Sequence, residues 1–160
     1  MSVKPTPSLK PRYATPRNLA RPTDGAKEAR IAEALGTPFL PWQRMVSDVF
    51  GEIDPDTGTY YYDTLVLTVQ RQAGKTTRER ATETRNALWG PNRRVWYLAQ
   101  TGKDASQQFR EYITGFDKSP LAPLAASKRM SNGSMCLTLK NGSTIQPGGT
   151  TDSGGHGFQG

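Results

Sequence analysis

The most chemically loaded run in the sequence is Gln70-Arg71-Gln72-Ala73-Gly74-Lys75-Thr76-Thr77. Gly-Lys-Thr is the second half of the phosphate-binding pattern G-x-x-x-x-G-K-[ST], and Val69 stands where its first glycine belongs. Each retained residue has a physical task. Gly74 lets the backbone approach a phosphate oxygen, and the amides after it point at that oxygen if a helix begins there. Lys75 would set a cation against the β- and γ-phosphates, and the Thr76 hydroxyl would ligate Mg²⁺. The plainer alternative is an ordinary β–α turn with a lysine at the start of its helix.

Such a loop works only between a strand and a helix, and the flanks have that composition. Tyr60–Gln70 is rich in β-branched and aromatic residues around Leu65-Val66-Leu67-Thr68-Val69, the pattern of a buried strand. Lys75–Trp89 is helical in composition and stops at Gly90-Pro91. Arg94–Gln100 predicts a second strand, and Thr101-x-x-Asp104 predicts a capped helix running through Phe116. Strand, loop, helix, strand, helix is a βαβ alternation, which argues α/β architecture with a parallel sheet and flanking helices. Upstream, Lys27–Leu35 and Trp42–Phe50 carry apolar residues at helical spacing. Downstream, Met135–Leu139 and Ser143–Gln146 flank Asn141-Gly142, a strong hairpin signal.

The 160 residues carry 21 Lys+Arg against 14 Asp+Glu, a net charge of +7. Seven of the basic residues and only two acids lie in residues 1–30, together with five of the twelve prolines. A stretch so polar cannot bury enough apolar surface to order itself, which predicts a disordered basic arm over residues 1–26 and a folded unit over 27–160. The arm is either solvated or a counterion-releasing contact to nucleic acid. No apolar run approaches the roughly 18 residues of a membrane span, and no secretory h-region is present among the first 30. One cysteine, Cys136, excludes an internal disulfide and a cysteine-cluster metal site, and points to a reducing compartment.

Residues 38–160 resemble the large, ATP-hydrolysing subunit of tailed-bacteriophage terminases, the motors that pump DNA into proheads. That family uses a variant phosphate loop in which the first glycine is dispensed with and Arg-Gln precedes x-G-K-T; Arg71-Gln72-Ala73-Gly74-Lys75-Thr76-Thr77 fits it. Pro41-Trp42-Gln43-Arg44 resembles the family's adenine-recognising element, and Gly51–Tyr62, with its D-P-D-T-G turn, resembles the insert between the two. Val95–Thr101, the Leu139–Ile145 hairpin and the glycine-rich stretch to Gly160 resemble the segments that follow. The resemblance implies a P-loop NTPase-like sheet, ATP and Mg²⁺ as cofactors, and Lys75 and Arg71 as catalytic cations. It implies that Trp42, Gln43 and residues Gln70, Arg71, Gln72, Ala73, Gly74, Lys75, Thr76 and Thr77 contact the nucleotide, with Thr76 on the metal. It further implies double-stranded viral DNA, a small terminase subunit and a portal protein as partners, a homo-oligomeric ring, no membrane, and work in the host cytoplasm.

In that family a strand ending in Asp-Glu follows the glycine-rich stretch, with a nuclease domain after it; neither lies within residues 1–160. The expectation is a partial ATPase domain with an incomplete sheet. A helicase-like DNA-dependent ATPase and a non-catalytic nucleotide- or DNA-binding remnant are the competing readings. Several residues have plainer alternatives. Arg71 could pair with a neighbouring acid, Gln43 could face solvent, and Trp42 could anchor a helix start. Arg78–Arg85 is better read as a solvated helix face than as a DNA stripe. His156 has no second ligand nearby, and Cys136 suits a small core position. Asp54 and Asp56 have calcium-loop spacing, but Leu65 stands where the bidentate acid is required.

Overall fold

A computed structural model describes residues 11–150. The expected glycine-rich stretch from Gly148, His156 included, lies mostly outside them, as do the first ten residues of the basic arm. The described chain runs α1 (Gly25–Ala34), α2 (Pro41–Phe50), α3 (Lys75–Leu88), β1 (Arg94–Ala99), α4 (Gly102–Asp117), a short 3-10 turn, β2 (Ala125–Arg129), β3 (Cys136–Leu139) and β4 (Thr144–Gly149). It is an α/β fold with flanking helices, and the four strands lie in the order β1-β4-β3-β2.

The sheet is mixed, not parallel as the βαβ alternation predicts. Only β1 and β4 run parallel; β4–β3 and β3–β2 are antiparallel. The single parallel pair is joined through α4 and the β2–β3 excursion, and the rest of the sheet is built by hairpins. The β3–β4 hairpin turns as its composition requires, though not by the tightest route. Gly142 donates to the Leu139 carbonyl at 2.9 Å and takes φ +81°, while Leu139 donates to the Ser143 carbonyl at 2.8 Å. Only one turn residue is left-handed, which is a one-residue bulge after an ordinary turn.

The largest departure concerns the strand that should carry the phosphate loop. Residues 64–70 are extended and their exposure alternates with period two, yet they pair with no strand. Val66 is 85% exposed. Local propensity makes the segment extended; sheet membership needs a neighbour, and none of the described strands supplies one.

The apolar core sits between α4 and the sheet. Phe109, Tyr112, Ile113 and Phe116 of α4 close over Leu137, Leu139 and Ile145, with Ala87 of α3 and Met135 at the margin. The α4 helix begins where its cap predicts: the Thr101 hydroxyl accepts from the Asp104 amide at 3.1 Å. A second unit is held to this core by charge. Glu28 of α1 is fully buried against Arg78 and Arg85 of α3, at 3.6 and 3.0 Å. The solvated-face reading of residues 78–85 is therefore corrected: Arg78, Ala81, Thr84 and Arg85 are buried.

Residues 17–26 also depart from the free-arm expectation. Arg17 and Arg21 each pair with the fully buried Glu52 at 3.0 Å, and the Arg21 guanidinium lies over the Tyr61 ring. Asp24 donates its amide to the Gly51 carbonyl at 2.9 Å, and Thr23 bridges Glu52. Burial alone would raise the Glu52 carboxyl; the Asn18 amide and the two arginines outweigh it and hold it below the usual range. The insert that follows closes as a small hairpin, with Asp54 accepting from Gly58 and Ile53 bridging Tyr60.

Candidate functional site

The run expected to form a phosphate loop occupies a bend between the extended 64–70 segment and α3. Gln72 is left-handed at φ +62°, and Gly74 caps α3 at φ +93°. An L-residue at Gly74 would be strained by this backbone and would also place its Cβ 2.9 Å from the Gln43 amide nitrogen. The glycine is therefore required twice over. Beyond it the amides of Lys75, Thr76 and Thr77 open the helix with no intrahelical acceptor, and no described residue accepts from them. Fourteen residues of aligned peptide dipoles stand behind those amides.

Lys75 is exposed and forms no ion pair among the described residues; Arg71 and Gln72 are likewise exposed. Thr76 and Thr77 are half-buried at the helix start, as is Ala73. Gln70 is exposed at the end of the extended segment. Two basic side chains, three helix-start amides and two threonines thus lie within one seven-residue bend. No group of three or more His, Cys, Asp or Glu side chains suited to hold a metal exists among the described residues.

Gln43 sits differently from an open-pocket reader. It is 1% exposed; its Oε1 accepts from the Leu40 amide at 2.6 Å, and its Nε2 donates to the Gly74 carbonyl at 2.7 Å. The sequence places Gln43 near the loop in function, and the structure brings it there in space, 31 residues along the chain. Its neighbour Trp42 is half-buried and lines a groove of about 1300 Å³ between α2 and the extended segment. Met45, Val46 and Val49 share that groove wall with Leu65, Leu67 and Val69.

Two clusters carry no warning in the sequence. One is Glu28–Arg78–Arg85, in which Glu28 meets Arg85 from 57 residues away. Here Arg85 also stacks on Tyr60 at 4.5 Å, and Tyr60 lies 4.4 Å from Trp89 and donates to Asp24 at 3.3 Å. The other is the turn of the β3–β4 hairpin. Asn141 donates to the Ala87 and Gly90 carbonyls at 2.9 and 3.0 Å, and the buried Ser143 hydroxyl donates to Gly90. Asn-Gly signalled a turn; that the asparagine would close the end of α3 required the tertiary fold. No helix among the described residues is long and apolar enough to cross a membrane. No family model, curated protein or solved structure matches the chain.

Proposed function

We propose that this chain is an ATP–Mg²⁺-binding portion of a tailed-phage terminase large subunit, with a P-loop NTPase-like arrangement around Gly74–Thr77. In the complete motor it would serve ATP-driven translocation of double-stranded viral DNA at the prohead portal, in the host cytoplasm, within a homo-oligomeric ring and beside the small subunit. The observation that supports the nucleotide reading most is the bend itself. A left-handed Gly74 opens a 14-residue helix whose first amides have no described acceptor, and Lys75 stands exposed beside them. Arg71 and Lys75 supply the charge for a triphosphate, and the Thr76 hydroxyl is a ligand for its Mg²⁺. The terminase assignment rests on the order of the motifs around that bend.

A binding-only protein is the second reading, and one observation favours it. The segment that leads into the loop, 64–70, is not fixed by strand pairing, and turnover demands tighter placement of groups than binding does.

Titration with a fluorescent ATP analogue in Mg²⁺ tests the first claim. Wild type binds, and Lys75→Ala weakens binding about tenfold or more; equal affinity in the two proteins removes the phosphate-loop assignment. ATP hydrolysis with and without double-stranded DNA then separates the two readings.

A further inference from the structure

The Gln43 side chain joins the first turn of α2 to the carbonyl that caps α3. A primary amide has two donor hydrogens and an oxygen with two lone pairs. One lone pair takes the Leu40 amide at 2.6 Å and one hydrogen goes to the Gly74 carbonyl at 2.7 Å. The remaining donor and acceptor are enclosed, since the residue is 1% exposed. A base edge therefore has no access to the group that would read it. The Gly74 carbonyl receives one further bond, a longer one from the Arg78 amide at 3.3 Å. The Gln43 contact is the shorter of the two, and it comes from outside the helix.

We infer that Gln43 is a positioning residue for the phosphate loop and not a reader of adenine, so that the site selects the polyphosphate and its metal whatever base is attached. This inference rests on the phosphate-loop reading of Gly74–Thr77. Physically, Gln43 fixes the direction of the Gly74 peptide. Residue 74 is left-handed, and its peptide plane sets where the next amides aim. Releasing it lets the plane rotate, and the anion loses the aligned donors that a helix start offers.

The test compares ATP, GTP and inorganic tripolyphosphate, each with Mg²⁺, on wild type, Gln43→Ala and Gln43→Glu. Gln43→Glu is nearly isosteric and keeps an acceptor for Leu40, but it turns a carboxylate oxygen toward the Gly74 carbonyl. Both variants are expected to lose about tenfold in affinity, by the same factor for all three ligands. As the pH is lowered through the carboxyl range, Gln43→Glu should recover relative to wild type, because the protonated acid donates to Gly74 again. A residue that only supports the fold would not show that recovery in a protein whose thermal midpoint is unchanged.

A loss confined to ATP overturns the inference and restores base reading. Unchanged affinity for tripolyphosphate in both variants overturns it too, as does unfolding of both. If wild type itself fails to bind tripolyphosphate, the phosphate-loop reading falls first and this inference with it. That outcome is distinct, because it appears before any Gln43 variant is measured.

Discussion

Gly74 and Glu83 are two single positions at which a substitution has a readable consequence. At Gly74 the left-handed backbone and the nearby Gln43 amide both oppose a side chain. Gly74→Ala should lower stability by about 1–3 kcal/mol, read from chemical denaturation, and should weaken polyphosphate binding with it. Glu83 lies against a small cleft lined by Arg80, Tyr97, Gln108, Phe109 and Tyr112. Burial, with the Glu79 charge one turn away, pushes its carboxyl up to about 8, and Arg80 opposes only in part. The folded protein thus holds a proton that the unfolded chain gives up near pH 4.5. Stability from this group is complete below that point and declines as the pH rises to about 8. Glu83→Gln keeps the hydrogen-bonding shape without the charge. It should flatten that decline and stabilise the protein by about 2 kcal/mol at pH 8 after allowance for solvent contact. A set of denaturation curves from pH 5 to pH 9 reads the difference; parallel curves for the two proteins refute it.

Helices α1 and α3 are joined by a charged contact where most helix pairs use an apolar one. Among the described residues Glu28 is the one acid paired with the buried guanidinium groups of Arg78 and Arg85, and desolvation already lowers the Arg78 pKa against the pull of Glu28. Glu28→Ala would leave two buried cations unpaired, at a cost of about 3–5 kcal/mol, and α1 should lose its amide protection before α4 does. Asn141→Ala removes two bonds to the end of α3 and should cost about 1–3 kcal/mol. These contacts also explain what the sequence could convey. Elements α2, α3, α4 and β1 and the Asn-Gly hairpin were legible because capping, helical spacing and turn chemistry are local. The β2 strand, Ala-Ala-Ser-Lys-Arg, has neither alternation nor β-branched residues, and it exists because β3 offers an edge. Residues 64–70 failed the other way: their composition is that of a strand, but a strand is a relation between two segments. Gln43 was found by its motif, but its bond to the Gly74 carbonyl was not legible, because that contact is set by tertiary packing. Arg17 and Arg21 looked solvated for the same reason, their acid being Glu52.

Taken whole, the described chain has one well-packed centre, α4 on the sheet, and a satellite of α1, α2 and the 51–61 insert held to α3. Protection against hydrogen exchange should follow that division. Amides of Val95–Ala99, Leu137–Leu139 and the interior of α4 should exchange slowest, α1 and α2 faster, and residues 64–70 fastest among the extended segments because their amides have no strand partner. Strong protection across 64–70 would mean that the segment is paired in solution.

The α3 helix is gripped at both ends by side-chain amides, Gln43 on the carbonyl of Gly74 and Asn141 on those of Ala87 and Gly90. Mechanically it is a strut about 21 Å long, pinned at each end, given 14 residues at about 1.5 Å each. An α-helix resists axial compression far better than a loop does. A push on the β3–β4 turn is therefore expected to reach the Gly74 bend along α3, without having to deform the sheet between them.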